Sequence, residues 1–206
     1  MKVLIACEFS GVVRDAFIKQ GHDAWSCDLL PTERPGPHYQ GDVLDIIDDG
    51  WDLMVAHPPC TYLANSGVRW LWIKSPDGTR APNTTRWRNM DDAATFFRTL
   101  LDAPIPRVAI ENPIMHGHAN KIVGRRQDQV VQPWMFGHPE QKATCLWLKN
   151  LPKLEPTNDV REAMKALPDS ERQRVFWATP SPDRWKERSI TLPGIAKAMA
   201  TQWGAT

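Results

Sequence analysis

KVLIACEFSGVVRDAFIKQGHDAWSCD spans residues 2–28. Its first six residues, KVLIAC, form an apolar run too short for a helix and right for a buried strand. VVRDAFIKQG then switches to helical spacing, with Gly21 as the stop. HDAWSCD, residues 22–28, reads as a second strand. Strand, helix, strand is the opening of an α/β protein.

The remainder keeps that rhythm. LPTERPGPH (30–38) is a Pro/Gly-rich loop, and GDVLDIIDDG (41–50) is a turn with a short helix. WDLMVA (51–56) is a strand that stops at HPPC. MDDAATFFRTLLDA (90–103) has helical periodicity and an acidic first turn. RVAIEN (107–112) is a strand ended by Pro113, and QVVQPW and ATCLWLK are later strand candidates. TLPGIAKAMATQW (191–203) is a closing helix with its proline near the start. The expectation is a doubly wound, mostly parallel sheet forming a single domain over residues 1–206. Residues 151–187, with five prolines and mixed charges, read as a short irregular insertion.

Composition narrows the function classes. Apolar residues make up 42% and charged residues 24% of the chain, the balance of a protein that buries its own core. No apolar run reaches membrane-spanning length, and the start lacks a leader cleavage pattern. Cys7, Cys27, Cys60 and Cys145 are widely spread, which suits free thiols in a reducing compartment. A cytoplasmic protein is expected. Net charge is only +1, so no global field attracts a polyanion. Locally, residues 69–88 hold five cations (Arg69, Lys74, Arg80, Arg86, Arg88) against Asp77, with Trp70, Trp72 and Trp87 among them. That stretch suits phosphates and stacked bases. It equally suits a solvated loop pinned by aromatics.

In an open parallel sheet, ligands bind beyond the carboxyl ends of the strands. Those ends deliver Glu8-Phe9-Ser10-Gly11, then Asp28, then His57-Pro58-Pro59-Cys60, then Glu111-Asn112-Pro113, with Asp42 on an intervening turn. Gly11 opens a helix where a ligand would approach the backbone closely, and Asp28 sits where a ribose-binding carboxylate sits in dinucleotide folds. No G-x-G-x-x-G is present, which disfavours a pyrophosphate and favours a nucleoside ligand. A strand-ending Asp is also a common cap or turn residue. Cys60 is either a reactive thiol framed by prolines or an inert packing residue. Glu111, at the end of a neighbouring strand, is placed to act as an acid or to hold a base edge. Metal binding by His57 with Cys60, or by His116 with His118, is the rival use of these side chains; the H-x-E and P-C-x-x-C of zinc deaminases are absent.

In this order the motifs resemble the cytosine carbon-5 DNA methyltransferases, which use S-adenosylmethionine, in a short, phage-like form. ACEFSG is similar to the family's first motif, which implies cofactor contacts at Glu8, Phe9, Ser10 and Gly11; the usual second glycine is missing. The resemblance places Asp28 and Leu29 at the cofactor ribose, and Asp42 and Val43 at its adenine. AHPPCTYLANSG is similar to the G-G-P-P-C-Q-x-F-S-x-x-G loop, which makes Cys60 the nucleophile and sets Pro58 beside the cofactor. IENP is similar to E-N-V, with Glu111 as the base-binding acid and Asn112 beside it. FGHPEQKATCLWL looks like Y-G-x-P-Q-x-R-x-R followed by a strand, with Lys142 and Thr144 in place of the arginines and Glu140 in place of the glutamine. SITLPGIAKAMA looks like the closing cofactor motif. Only residues 151–187 fall outside the resemblance, and they are too few for a target-recognition domain.

The resemblance implies a Rossmann-like class I methyltransferase fold and methyl transfer to carbon 5 of cytosine in DNA through a Cys60 adduct. It implies that residues 62–90 form a mobile catalytic loop, with Arg69, Trp70, Arg86 and Arg88 on the nucleic acid. No metal and no membrane enters that chemistry, and a separate specificity protein would suit a chain without its own recognition module. A phage-encoded chain would act in the host cytoplasm. Two alternatives stay open: the same chemistry on a free cytidine nucleotide or RNA, and a catalytically degenerate chain that only binds cofactor or nucleic acid.

Overall fold

The structure, a computed structural model, describes residues 1–205 except 178, 180 and 182. Its strands are β1 (Lys2–Ala6), β2 (Asp23–Asp28), β3 (His38–Gln40), β4 (Leu53–Ala56), β5 (Trp72–Lys74), β6 (Arg80–Pro82), β7 (Arg107–Pro113), β8 (Gln129–Val131) and β9 (Thr144–Lys149). The helices are α1 (Val12–Lys19), α2 (Thr84–Leu101), α3 (Gly117–Val123), α4 (Arg161–Ala166), α5 (Asp169–Arg172), α6 (Arg174–Trp177), α7 (Arg184–Ser189) and α8 (Pro193–Trp203).

Seven strands form the central sheet in the order β3-β2-β1-β4-β7-β9-β8. β3, β2, β1, β4 and β7 pair in parallel, while β9 runs antiparallel to both β7 and β8. The expected mostly parallel α/β sheet is present. Alternation along β1 explains the continuous apolar run: Leu4 and Ala6 join one core with Met54, Phe97 and Trp147, and Val3 and Ile5 join another with Phe17, Met199 and Trp203. Both faces are buried, so no polar position is tolerated mid-strand. The Trp147 indole meets Phe97 edge-on at 4.9 Å and donates to the Arg125 carbonyl at 3.1 Å. Complete burial of such a side chain stabilises by at least about 1.5–3 kcal/mol.

Several expected boundaries move. α2 starts at Thr84, not at Met90, because the Asn83 side chain caps it by accepting from Arg86 N at 3.2 Å. The stretch 62–90 is therefore not one loop. It holds a 3-10 helix at Asn65–Leu71, the β5–β6 hairpin and the first turns of α2. β3 falls at the end of the predicted Pro/Gly loop, and α3 was not predicted. The predicted insertion carries α4, α5, α6 and most of α7; its positions 178, 180 and 182 lie outside the described residues.

Arg14 ties α1 to the segment after β2. Its side chain is fully buried and pairs with Asp15 at 2.8 Å. It also donates to Ser26 Oγ at 3.1 Å, Thr32 Oγ1 at 3.2 Å, and the carbonyls of Arg34 and Pro35, both at 3.2 Å. Gly11, at φ +69°, leaves room for it: a Cβ there would stand 2.5 Å from the Arg14 guanidinium. Close approach of an internal cation, rather than of a ligand, accounts for this glycine. Arg14→Met is expected to cost about 1–3 kcal/mol, because the buried Ser26 hydroxyl loses its donor and half-buried Asp15 its partner. A urea titration at unchanged m that gives the parent's unfolding free energy would contradict this account.

Candidate active site

The order reverses between β1 and β4. β2 and β3 extend from one side of β1, and β4 and β7 from the other. A crevice opens at such a switch point, beyond the carboxyl ends of the strands. Two cavities meet there at Cys7. The larger, about 270 Å³, is lined by Cys27, Asp28, Leu29, Gly41, Asp42 and Val43 on one side, and by Pro59 and Phe96 on the other. The smaller, about 30 Å³, lies among Glu8, Phe9, Ser10, His57 and residues 189–191.

Asp28 and Asp42 both reach the larger cavity, and both also serve as local caps. Asp28 Oδ1 accepts from Leu30 N at 2.9 Å, and Asp42 Oδ1 from Leu44 N at 3.0 Å. Burial pushes the Asp28 carboxyl above its ordinary value, against the hydrogen bond from Leu30 and the nearby His38. No lysine or arginine lines this cavity among the described residues. Phosphates are poorly served there, and an uncharged or cationic nucleoside is well served.

Glu8 lines the smaller cavity, yet its carboxylate is committed elsewhere. Oε1 accepts from Val13 N at 2.7 Å and from Ser10 Oγ at 3.1 Å, and Oε2 from Arg14 N at 3.2 Å. A helix N-terminus is a natural anion site. Here α1 receives an internal anion, so the Glu8 side chain is not available to a cofactor as the sequence suggested. Phe9 is buried and packs against Trp185 at 6.0 Å.

Glu111 comes off β7 beside His57, which leaves β4. His57 Nδ1 is 3.3 Å from Glu111 Oε2. Burial pushes the Glu111 carboxyl up, but the His57 hydrogen bond and the Lys142 and His57 charges outweigh it, and the net shift is downward. Lys142, Thr144, Thr191 and Leu192 share a narrow cavity with Glu111. Lys142 Nζ donates to the Arg188 carbonyl at 2.8 Å. Cys60 is half-buried beside this group. Burial and then the Glu111 carboxylate raise its thiol pKa, while Arg188 and Lys142 pull it down without prevailing. Residues 61–63 form turns that lead through Ala64 into a short 3-10 helix, so no α-helix N-terminus faces the thiol.

Cys60, Glu111 and Lys142 thus gather as the sequence suggested, with His57 and Arg188 added. Asn112 does not join them. Alternation along β7 puts it on the face of Val108 and Ile110, under α2 and α3, where its buried amide has no hydrogen-bond partner. Arg86 also departs from its expected place on nucleic acid. Nη2 donates to the Thr61 carbonyl at 3.1 Å, and the guanidinium stands 5.0 Å from the Tyr62 ring centre. His116 completes a clamp on the same turn. Its Nδ1 accepts from Ala119 N at 3.1 Å, so Nε2 carries the hydrogen donated to the Tyr62 carbonyl at 2.9 Å. Its backbone N–H takes the Leu63 carbonyl at 3.0 Å, and the Cys60 carbonyl accepts from Leu63 N and Ala64 N. Four consecutive carbonyls, 60 to 63, are therefore held. His57 was legible as a strand-end residue but not as the partner of Glu111. Ser189 to Thr191, which open the stretch likened to the closing cofactor motif, line the smaller cavity, whereas Arg188 was not legible as a site residue. Arg69, Trp70 and Arg88 are exposed and apart from the cluster.

No family model matches the sequence, and no curated protein matches it. Solved structures do. An Entamoeba histolytica methyltransferase, EhMeth, aligns with TM-score 0.50 and 13% identity over 77% of this chain and 57% of its own. A DNA modification methyltransferase encoded within an Escherichia coli prophage gives 0.48 and 16% over 82% and 56%. The Schizosaccharomyces pombe Dnmt2 methyltransferase gives 0.41 and 13% over 100% and 66%. The chain spans 56–66% of the length of these structures. At 13% identity the likeness to EhMeth is one of fold: the mostly parallel sheet is arranged as in that methyltransferase.

The electrostatics of the site give a direct readout. With its pKa raised, Cys60 is expected to react with iodoacetamide more slowly at pH 8 than a free cysteine, and to gain rate as pH rises past the ordinary thiol value. Glu111→Gln removes the opposing negative charge and is expected to speed alkylation at pH 8 by about threefold or more. Lys142→Met is expected to slow it. Peptide mass spectrometry follows Cys60 separately from the other thiols; equal rates in all three proteins would refute this electrostatic picture.

Proposed function

We propose that this protein transfers a methyl group from S-adenosylmethionine to carbon 5 of cytosine in DNA, with Cys60 as the nucleophile. The observation that carries the reading is the gathering of Cys60, Glu111, His57 and Lys142 beyond the ends of β4 and β7, beside a cavity with carboxylates and no cations. The motif order of the chain supports it, and so does the methyltransferase fold. Asp28, Leu29, Asp42 and Val43 would hold the adenosine part, with Pro58 and Pro59 beneath it and Phe9 to Gly11 toward the methionine part. The fit is chemical: a nucleoside without phosphates, bearing a sulfonium, suits a cavity lined by Asp28 and Asp42. When bound, the cofactor supplies an electrophilic methyl group.

The chain's own residues do the rest. Cys60 must lose its proton, and its Sγ then bonds to carbon 6 of the ring. The carbon 5–carbon 6 electron pair moves to carbon 5, which becomes able to attack. Glu111 and His57 face the ring's polar edge. A carboxylate accepts from the exocyclic amine, and a proton shared with His57 can be donated at ring nitrogen 3. Lys142 and Arg188 offset the negative charge that a thiolate adds beside Glu111. After methylation a base takes the carbon-5 proton, the electron pair restores the ring double bond, and the Cys60 sulfur leaves. Alignment of this kind lowers barriers by about 7–11 kcal/mol in favourable intramolecular systems. In duplex DNA the base must leave the stack, which costs a few kcal/mol.

Two observations favour a second reading, cofactor or nucleic-acid binding without transfer. The thiol pKa is raised, and Thr144 stands where the resemblance expects an arginine. A transfer panel decides. Labelled S-adenosylmethionine with duplex DNA, RNA and dCMP in parallel is expected to label duplex DNA, and DNA containing 5-fluorocytosine to trap an adduct on the Cys60 peptide. Cys60→Ser is expected to abolish both. Asp28→Ala is expected to weaken cofactor binding by about tenfold, or 1.4 kcal/mol. Cofactor binding with neither label nor adduct on any substrate would defeat the enzymatic reading in favour of the second.

A further inference from the structure

We propose that the β5–β6 hairpin grips double-stranded DNA, with Lys74 and Arg80 at its distal end seated on the phosphate backbone; the choice of DNA rests on the reading above. The hairpin register sets Lys74 directly opposite Arg80, with Ile73 opposite Ala81 and Trp72 opposite Pro82. Directly paired residues project from the same face, and like charges placed so weaken a ribbon. Nothing local relieves them. Asp77, the one acid in the turn, accepts at Oδ1 from Thr79 N at 3.0 Å and from Thr79 Oγ1 at 2.7 Å. Among the described residues, neither Lys74 nor Arg80 has a carboxylate partner, and neither do Arg69 and Arg88 nearby.

A two-stranded ribbon is marginal alone, and this one is supported only at its base. Trp72 meets Trp87 of α2 edge-on at 5.8 Å, and Asn83 N donates to the Leu71 carbonyl at 2.9 Å. All six strand residues are exposed, including Ile73 at 54%. An exposed ribbon that pairs two cations, without a core to cover it or an acid to neutralise it, is complementary to a polyanion. The B-form major groove admits a two-stranded ribbon, whereas the deep, narrow major groove of A-form RNA does not. The hairpin also leads straight into the site. Asn83 caps α2, and the Arg86 that follows holds the Thr61 carbonyl next to Cys60. A duplex held here supplies through one hairpin a grip that residues 151–187 are too few to supply as a separate module.

The test is binding, read without cofactor so that it does not depend on turnover. Fluorescence anisotropy with a short labelled DNA duplex is followed across salt concentration for the parent, for K74Q/R80Q, and for K153Q/K165Q as a distant control. The hairpin variant is expected to flatten the log K against log salt slope by about 1.8, which is 0.9 for each phosphate no longer neutralised. Its melting temperature is expected to hold or rise, because a repulsion has been removed. An unchanged slope overturns the proposal, as does equal flattening in the control, or a larger loss on duplex RNA or single strands than on duplex DNA. A flattened slope in a protein that transfers no methyl group leaves the hairpin grip standing and removes the enzymatic reading alone. Full transfer to DNA with an unchanged slope does the reverse.

Discussion

A sheet buried on both faces has no room for polar chemistry along its strands. β1 and β4 are closed in by helices above and below, and every residue of Leu53–Ala56 is buried. Ligands can meet this fold only where strands end, and most openly where the strand order reverses. That constraint sets Cys7 and Glu8 beside His57 and Cys60, and it sets Glu111 one strand further along. The same edge must also satisfy its own backbone. Glu8 does so for α1, and Asp28 and Asp42 do so for the turns that follow them. The residues that shape the crevice are therefore partly used in holding it open.

The Cys60 turn shows a similar double use. Its carbonyls are taken by Arg86 and His116 and by its own amides, so helices α2 and α3 fix its course. His116 can do this only as the neutral tautomer. Burial lowers its pKa, with His118 and Arg86 adding to the effect against the hydrogen bond to Tyr62. Protonation of Nδ1 would remove the acceptor that caps α3. The turn, the start of α3 and the start of α2 form one polar assembly around an apolar floor of Leu63, Met90 and Met115.

Much of this was legible in the sequence, and the failures have physical causes. The β-α-β opening could be read because apolar runs and helical spacing are strong local signals. Cys60 and Glu111 could be brought together because both end strands. Asn112 was misplaced because its neighbour's role was extended to it, although adjacent strand residues face opposite ways. Arg86 was assigned to nucleic acid because a charge count cannot tell a cation held by a carbonyl from one left in solvent. The start of α2 was missed because the acidic turn at Asp91 outweighed the Asn83 cap. Arg188 gave no sign, since nothing in a mixed-charge stretch marks one cation out for the site. β3 escaped because a three-residue edge strand among prolines has no pattern of its own.

The fastening of carbonyls 60 to 63 has a consequence for how a substrate would be met. Ordering a flexible loop at the moment of encounter costs conformational entropy of about 1–2 kcal/mol per residue. Here that loss is incurred during folding, so the backbone that carries Cys60 is set before any ligand is met. Adaptation of the crevice to its contents would then fall to the opposite wall, where Ser189 to Thr191 line the smaller cavity across from His57.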